Sequence, residues 1–242
     1  MTPGTIRLQD AGVCLNGTPV WQHVTGSFSP GSMTAIAGAN GSGKSTLLRA
    51  ILGELPLSEG QVLFDGVGIR DIGYLPQARN IDRSFPLSVT DMVLSGAWQQ
   101  TGAFGGVDQT VRVRAAEALR RVKLEGQADR MIDALSAGQF QRLLFARLLM
   151  TSAPIIMLDE PFTALDAPTT EDLLELVREW HAQGRTIIVV LHDMHQIRTC
   201  CPHVVLLSGG RAIWGETASI LTPGTLQRAY ESPQGSWTTA QP

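Results

Sequence analysis

One octapeptide constrains this chain more than any other feature. Residues 38–45 read Gly-Ala-Asn-Gly-Ser-Gly-Lys-Ser and match the phosphate-binding pattern G-x-x-x-x-G-K-S/T. Met33 to Ala37 has the composition of a buried strand, and Ser45 to Gly53 carries apolar residues at helical spacing. The motif needs this order of strand, loop and helix, because the backbone N–H groups of the loop and the helix start surround a phosphate. The sequence therefore predicts a nucleotide site.

The side chains of this loop suit a nucleotide that is bound together with a metal ion. Lys44 can reach the β- and γ-phosphate oxygens, and the hydroxyl of Ser45 can ligate Mg²⁺. The predicted nucleotide-binding residues are Gly38, Ala39, Asn40, Gly41, Ser42, Gly43, Lys44, Ser45 and Thr46.

A second motif supports phosphoryl transfer. Ile155 to Leu158 is a buried-strand pattern that ends in two carboxylates, Asp159 and Glu160, at the end of the strand where α/β sheets bind their ligands. We expect Asp159 to serve the Mg²⁺ ion. Glu160 is then free to hold and polarise the water that attacks the γ-phosphate.

Strand patterns alternate with helical patterns through most of the chain, which is typical of βαβ units and a largely parallel sheet. Two regions depart from this order. Residues 6–31 predict short antiparallel strands with turns at Asn16-Gly17 and at residues 29–31. Residues 89–99 and 111–122 read as helices.

These patterns predict an α/β fold: a P-loop NTPase core with a small antiparallel β subdomain and an inserted α-helical subdomain at about residues 78–150. A flexible break is expected at Gly102 to Gly106 within the insertion. We expect a single domain over residues 1–230, followed by a flexible tail over 231–242 that is rich in Ser, Pro, Gln and Thr.

Composition excludes several classes of protein. The 242 residues are 43% apolar, which is enough for a sizeable core, and the net charge of −3 gives no reason to expect a nucleic-acid partner. No run of 18 apolar residues is present, and the first thirty residues lack the pattern of a secretory signal. Three cysteines make a poor disulfide framework. We expect a protein that stays in the cytoplasm.

Leu135-Ser136-Ala137-Gly138-Gln139 precedes a helical pattern, so its Ser and Gly stand at a helix start that can bind an anion. This pentapeptide resembles the signature L-S-G-G-Q of the nucleotide-binding subunits of ATP-binding cassette (ABC) transporters, with Ala137 in place of one Gly. The resemblance extends from about Ile6 to Tyr230 and implies an ATPase whose hydrolysis of ATP drives transmembrane transport.

The resemblance also implies roles for residues that no local pattern explains. Gln77 matches the glutamine that touches Mg²⁺ and the attacking water, and His192 matches the histidine that contacts the γ-phosphate. Asp166 lies in the loop that couples two subunits of a dimer. The expected catalytic residues are Glu160, His192 and Gln77, the expected Mg²⁺ ligands are Ser45, Gln77 and Asp159, and the expected contacts to the ATP of a partner subunit are Ser136, Ala137, Gly138 and Gln139.

The implied partners are a second copy of the chain, integral membrane permease subunits and, indirectly, an extracytoplasmic solute-binding protein. The implied place is the cytoplasmic face of the cell (inner) membrane. ATP should close the dimer, and hydrolysis should open it again.

The segment after Gln77, with Asp82 and Phe85-Pro86, resembles importers of zinc, manganese or iron chelates, and residues 221–230 resemble the end of the same subgroup. A zinc or manganese importer is implied, with an iron-chelate or cobalamin importer as the alternative. A soluble cassette protein that acts on ribosomes or DNA is a further alternative, although such proteins usually carry two cassettes or a long coiled-coil insertion. A GTPase or small-molecule kinase would share only the phosphate loop.

Two features leave alternatives open. Leu15 stands where the family usually has an aromatic residue that stacks on adenine, and the nearest aromatic residue is Trp21, six positions later. The ligand-type residues His195, Cys200, Cys201 and His203 lie within nine positions, and they form either a regulatory zinc site or an ordinary helix end that faces the core.

Overall fold

Two units make up the part of the chain that the computed structural model describes, which is residues 4–98, 102 and 106–231 without the side chains of Tyr230 and Glu231. Among these described residues, those up to Ile69 and those from Gly184 onward belong to unit one, and those from Arg70 to Gln183 belong to unit two. In chain order the strands are β1 (Thr5–Leu15), β2 (Thr18–Phe28), β3 (Met33–Gly38), β4 (Glu59–Asp65), β5 (Ile72–Leu75), β6 (Ile155–Asp159), β7 (Thr186–Val190), β8 (His203–Ser208) and β9 (Arg211–Glu216). The helices are α1 (Lys44–Ile51), α2 (Val89–Leu94), α3 (Gln109–Arg121), α4 (Ala137–Leu149), α5 (Ala167–Ala182), α6 (Met194–Cys200), α7 (Thr217–Ile220) and α8 (Pro223–Glu231).

In unit one a parallel array is built around β3, all six residues of which are buried. It pairs in parallel with β7 on one side and with β8 on the other, so that Ile36 lies opposite both Val190 and Val205. Strand β9 then adds to β8 in antiparallel orientation. A strand that is buried on both faces carries a run of apolar residues instead of alternating apolar and polar ones. For this reason β3 and β7 could be predicted from the sequence.

The antiparallel sheet of unit one has the order β2-β1-β4. Its first hairpin turns at Asn16 and Gly17 as predicted, with φ of 51° and 78°, the conformation of a tight two-residue hairpin turn. The strands are longer than the short strands predicted, because both have 11 residues and continue past irregular positions. Asp10 and His23, with φ of 47° and 52°, mark these irregularities. Such bulges bend a strand without ending it.

Unit two contains the parallel pair β5 and β6, which pairs Ile72 with Ile155 and Leu75 with Leu158. Helices α2, α3 and α4 lie within residues 89–149, which agrees with the helical character predicted there. The first of these helices ends at Leu94 and continues into a 3-10 turn over Ser95–Ala97, and the end of the predicted helix at Gln99 lies outside the described residues. Gly96 explains the close packing at this end, because a Cβ there would lie 2.1 Å from the carbonyl oxygen of Arg147.

Helix α5 and the core of unit two meet through aromatic contacts. The ring of Phe145 on α4 stacks on Trp180 at a centroid distance of 5.9 Å and on Phe162 at 6.3 Å. Large aromatic side chains bury much apolar area, and so this cluster fixes the two long helices of the unit.

The predicted break at Gly102 to Gly106 and the predicted tail from residue 231 fall outside the described residues, apart from Gly102, Gly106 and the backbone of Glu231. The proposed domain limits therefore stay predictions. Within the described ranges, none of the helices combines the length and the apolar character that crossing a bilayer requires.

Candidate functional site: a phosphate loop and a reactive strand end

The phosphate loop follows β3 and depends on three glycines with positive φ: Gly38 at 146°, Gly41 at 81° and Gly43 at 90°. A Cβ at Gly38 would lie 2.3 Å from the carbonyl oxygen of Leu207, and one at Gly43 would lie 2.6 Å from Cγ1 of Val20. A Cβ at Gly41 would have no described atom within 4 Å. Two positions thus need glycine for both conformation and space, and the third needs it for conformation alone.

Helix α1 begins at Lys44, with Gly43 as its N-cap residue and without a side-chain cap. The Lys44 side chain is buried, and its Nζ donates to the carbonyl oxygens of Gly38 at 3.0 Å and Ala39 at 2.9 Å. The hydroxyl of Ser42 is also buried and has no hydrogen-bond partner among the described residues. An ammonium folded onto its own loop at an uncapped helix start has the chemistry of an anion site.

His192 lies at the same edge of the unit-one sheet as the phosphate loop. Its strand, β7, runs parallel to β3, and the backbone N–H of Leu191 donates to the carbonyl oxygen of Ile36 at 3.3 Å. Both strands therefore end at this edge, where β3 leads into the loop and β7 leads into the exposed His192. Parallel pairing thus brings together two predicted site regions that are 150 residues apart in sequence.

Leu15 and Trp21 differ in what they offer a ligand. Leu15 is 41% exposed at the end of β1, next to the hairpin turn. Trp21 is fully buried, with its ring directly beneath Gly43: a Cβ added there would lie 2.7 Å from Cδ1 of the indole. Trp21 therefore presents no open ring face for stacking, while Leu15 presents an apolar side chain without one.

In unit two, β6 is buried along its whole length and ends at Asp159, which is 2% exposed. Glu160 follows with φ of 50°, a conformation that residues other than glycine rarely adopt. The hydroxyl of Thr163 donates to its Oε2 at 3.4 Å. Backbone strain of this kind, worth roughly 1–3 kcal/mol, persists where the surroundings hold the residue, and it is common at functional sites.

Glu160 lines a cavity of about 360 Å³ within unit two together with Gln77 and Ala137. Gln77 follows β5 and is 6% exposed, and its Oε1 accepts a hydrogen bond from Nε of Arg79 at 2.8 Å. Arg79 and Arg83 line the same cavity and give it positive charge beside the Glu160 carboxylate. Three predicted residues from separate motifs thus share one concave site.

The signature residues form the N-terminus of α4. Ser136 is the N-cap residue, its Oγ accepts from the backbone N–H of Gln139 at 3.2 Å, and Gln139 Oε1 accepts from the backbone N–H of Ser136 at 3.0 Å. This reciprocal pair is a capping box, which holds both side chains on the helix start. Gly138 has room around it, since a Cβ would have its nearest described neighbour, Leu165, at 3.9 Å.

Asp166 is the N-cap residue of α5, where its Oδ1 accepts from the backbone N–H of Thr169 at 2.9 Å. The hydrogen bonds from Thr169 hold the pKa of this carboxyl below its usual range, and the charge of Arg142 acts in the same direction. The carboxylate form is therefore favoured, and the loop before it, with Ala164 at φ 61°, leads directly from Glu160 to the helix.

The structure also reveals polar residues that the sequence analysis missed. Gln141 on α4 is 4% exposed, and its Nε2 donates to the carbonyl oxygen of Pro161, next to Glu160, at 2.7 Å. A glutamine within the apolar pattern of α4 was the available signal. Arg83 carried none, because the carbonyl groups that it binds lie 49 to 52 residues further along the chain, and Arg79, whose partner Gln77 is two residues away, matched no pattern.

The cysteine and histidine cluster has the arrangement of a helix end. Cys201 follows α6 and is 3% exposed, and burial raises the pKa of its thiol to about 12. A thiol that stays protonated is a poor metal ligand. Among the residues described, no three His, Cys, Asp or Glu side chains are grouped so as to hold a metal ion.

The comparisons with known proteins agree with this geometry. A model of the ABC transporter family matches residues 21–163. The zinc transport system ATP-binding protein TroB of Treponema pallidum is 35% identical over 233 residues, which cover 95% of this chain and 88% of TroB. The manganese transport system ATP-binding protein MntA of Synechocystis is 35% identical over 214 residues, covering 86% of this chain and 82% of MntA.

Among solved structures, a chain of a metal-chelate type ABC transporter in an inward-facing conformation is 28% identical with a TM-score of 0.83, and the match covers 95% of this chain and 90% of that one. This likeness confirms the predicted fold class, an α/β core of the P-loop NTPase type with antiparallel β and helical additions. Because the family model spans more than half of the chain and the relatives span most of it, the chain belongs to the ABC transporter family, as an ATP-binding subunit that hydrolyses ATP to power transport.

Proposed function

We propose that this chain is the energy-coupling ATPase subunit of an importer for a transition metal ion, zinc or manganese. The proposal is supported by TroB and MntA, whose names specify zinc and manganese transport systems. In this proposal the protein works as a dimer on the cytoplasmic face of the cell membrane. It is bound to permease subunits that receive metal from a solute-binding protein. An iron-chelate or cobalamin importer is the second candidate. It is supported by the structural similarity of this chain to the metal-chelate type transporter.

In this proposal, unit one binds the triphosphate. Backbone N–H groups of residues 38–46 and the start of α1 surround the phosphates, and the buried ammonium of Lys44 exchanges its carbonyl partners for β- and γ-phosphate oxygens. His192, which leaves the same sheet edge, contacts the γ-phosphate. Leu15 provides an apolar contact for adenine.

The donor set suits Mg²⁺, which is the cofactor we assign to this ATPase. The Ser45 hydroxyl, the Gln77 amide oxygen and the Asp159 carboxylate are hard oxygen ligands, the type that Mg²⁺ prefers over nitrogen and sulfur. The carboxylate at the end of β6 is 2% exposed, and a bound ion would add positive charge beside it. When bound, the ion supplies positive charge to the phosphate oxygens.

We assign hydrolysis to Glu160, and the observation that carries this assignment is its strained backbone in the lining of the cavity that it shares with Gln77. A carboxylate held there accepts a hydrogen bond from the attacking water and aligns it with the γ-phosphate. Gln77, which lines the same cavity, holds the same water. Positioning of this type is what phosphoryl transfer needs from a protein.

The signature residues serve the second subunit. Ser136, Ala137, Gly138 and Gln139 at the start of α4 contact the ATP bound by the partner copy, since a helix N-terminus attracts the γ-phosphate. Asp166 lies in the loop that joins Glu160 to α5 and couples the two copies. ATP therefore closes the dimer, and its hydrolysis opens it, which moves the permease.

The test is Glu160→Gln, which keeps size and hydrogen bonding but removes the charge. We expect ATP turnover to fall by roughly 10² or more while ATP still binds. In MgATP the variant should run as a dimer on gel filtration. Glu171→Gln is the matched control, because Glu171 lies on α5 in the same unit and pairs with Arg178 at the surface. A Glu160→Gln protein that stays monomeric with ATP, or that turns over near the wild-type rate, would contradict the assignment.

The cargo is tested separately. Cells that lack this subunit should lose uptake of radioactive zinc or manganese and regain it from the wild-type gene but not from Glu160→Gln. Loss of ferric-chelate uptake with normal zinc and manganese uptake would establish the second candidate instead.

A further inference from the structure

One arginine joins two segments of unit two to which the proposed mechanism gives separate tasks. Arg83 lies in the segment that follows Gln77, and its guanidinium reaches the chain just before the signature. Its Nη2 donates to the carbonyl oxygens of Ile132 at 2.9 Å and Asp133 at 3.3 Å, and its Nε donates to Ile132 at 3.3 Å. It also donates to the carbonyl oxygen of Leu135, the residue directly before Ser136.

The same guanidinium contacts the chain on the other side of the signature. Its central carbon lies 4.6 Å from the ring centroid of Phe140, which is 1% exposed in the first turn of α4. A cation over an aromatic face within about 6 Å is attracted to it. Arg83 therefore brackets Ser136 to Gln139, with carbonyl bonds before these residues and a ring contact after them.

Arginine suits this position for a geometric reason. A planar guanidinium presents five donors in a fixed fork and can stack on a ring at the same time, whereas a lysine ammonium is a single point of charge. The capping box between Ser136 and Gln139 is local and keeps the helix start folded by itself. Arg83 also sets the location of that helix start relative to residues 77–83, which we call the Gln77 segment. The helix start and this segment line one cavity.

We infer that Arg83 is a positioning residue that sets the signature turn for the ATP of the partner subunit and ties this turn to the Gln77 segment. The inference rests on the proposed function, because it assumes that Ser136 to Gln139 act on the partner's ATP. A reacting group displaced by about 1 Å can lose as much as 10²-fold in rate. The Arg83 side chain therefore matters for turnover and not for the first binding of ATP, for which the phosphate loop in unit one is responsible.

The experiment compares Arg83→Met, Arg83→Lys and the control Arg130→Met in the full chain. Arg130 donates to the carbonyl oxygen of Ala134 at 3.2 Å and to Gln127, so it serves the same stretch of backbone without touching the Gln77 segment or Phe140. Three quantities are measured: the affinity of dilute monomer for MgATP by equilibrium dialysis, kcat for ATP hydrolysis, and amide hydrogen exchange over residues 132–140.

For Arg83→Met we expect kcat to fall about tenfold or more, monomer affinity for MgATP to stay within about twofold of wild type, and exchange over residues 132–140 to accelerate. Arg83→Lys should lie between Arg83→Met and wild type, because it keeps the charge and loses the fork. Arg130→Met should keep kcat within about twofold, since its bonds are at the exposed surface.

Wild-type kcat in Arg83→Met would overturn the inference, as would a loss of kcat with an equal loss of monomer affinity for ATP. If Arg83→Met does not fold, Arg83→Lys decides: a folded protein with wild-type kcat and wild-type exchange overturns the inference, and a reduced kcat with intact ATP affinity supports it. Ser136→Arg separates the two levels of argument. If Ser136→Arg keeps its turnover, the proposed role of the signature is wrong; if it loses turnover while Arg83→Met does not, only the role of Arg83 is wrong.

Discussion

The two units hold their predicted functional residues by different means. In unit one the phosphate loop is made of backbone: three glycines with positive φ set its shape, Gly38 and Gly43 have no room for a Cβ, and the lysine of the loop is buried. In unit two the predicted functional residues depend on the side-chain contacts of Ser136 and Arg83 and on the strained backbone of Glu160. Glu160 and Arg83 line one cavity.

This difference suits the two tasks. Binding a triphosphate requires donors that are fixed before the ligand arrives, and backbone N–H groups of a sterically confined loop provide them at little cost in entropy. A switch that closes and opens requires contacts that can be exchanged, and hydrogen bonds of side chains at a cavity can be exchanged with those of water. We expect substitutions of the loop glycines in unit one to act on ATP affinity, and substitutions of Glu160, Ser136 and Arg83 in unit two to act on turnover.

The largest effect should come from mixing two inactive proteins. Lys44→Ala in unit one and Ser136→Arg in unit two should each reduce ATP turnover by roughly 10² or more, because each removes one side of every composite site. In an equal mixture, half of the dimers are hybrids with one intact pocket out of two, so activity should recover to about a quarter of wild type. A phosphate-release assay on the mixture measures this recovery.

The mixing experiment has two controls. Each variant on its own must stay inactive. A mixture of Glu160→Gln with Lys44→Ala tests whether the addition of any second inactive variant restores activity. If Ser136→Arg alone hydrolyses ATP normally, the signature does not act across the dimer and the division of tasks between the units fails at its most important point.

A smaller effect should separate two glycines within the phosphate loop. Gly38→Ala places a Cβ 2.3 Å from a backbone carbonyl oxygen that cannot move easily, so the loop must deform and ATP affinity should fall about tenfold or more. Gly41→Ala meets no described atom within 4 Å and costs only backbone strain, so affinity should fall a few-fold at most. Equilibrium binding of MgATP to both variants measures the difference. Equal losses would show that space around Gly38 does not shape the loop.

Sequence patterns could predict the parts of this molecule whose cause is local. The glycine spacing of residues 38–43 encodes its own conformation, and strands β3 and β7 are mostly apolar, with one threonine each, because both of their faces are buried. The helix start at Ser136 could also be predicted from local sequence, because its capping partner Gln139 is three residues away.

Other parts depend on distant neighbours and gave no signal. Strands β4 and β9 are half exposed and carry mixed residues such as Gln61 and Trp214, so their strand character comes from pairing with β1 and β8. Arg83 is about 50 residues from the carbonyl groups that it binds, as the separations of 49 and 52 residues show. An arginine in a loop is usually a solvated surface residue, and no local pattern distinguishes one that brackets a helix.

The smallest predicted effect concerns the binding of the adenine base by Leu15 in unit one. Leu15 is 41% exposed beside the first hairpin and offers apolar contact without a π face, whereas Trp21 is buried beneath Gly43 and offers no face at all. Stacking of a base on an aromatic ring is worth about 1–3 kcal/mol, and a tenfold change in affinity corresponds to about 1.4 kcal/mol. We therefore expect a high KM for ATP and weak discrimination between ATP and GTP in the wild-type protein.

Leu15→Tyr should lower KM for ATP about fivefold or more with kcat little changed, which is the pattern of added uniform binding. Leu63→Tyr is the matched control, because Leu63 is a similarly exposed leucine, at 37%, on β4 of the same antiparallel sheet. Steady-state kinetics with ATP and GTP on both variants separate a specific gain at residue 15 from a general effect of a surface tyrosine. If Leu15→Tyr leaves KM unchanged while Trp21→Ala raises it sharply, then the binding of adenine depends on the packing beneath the phosphate loop. The assignment of Leu15 as the adenine contact would then be wrong.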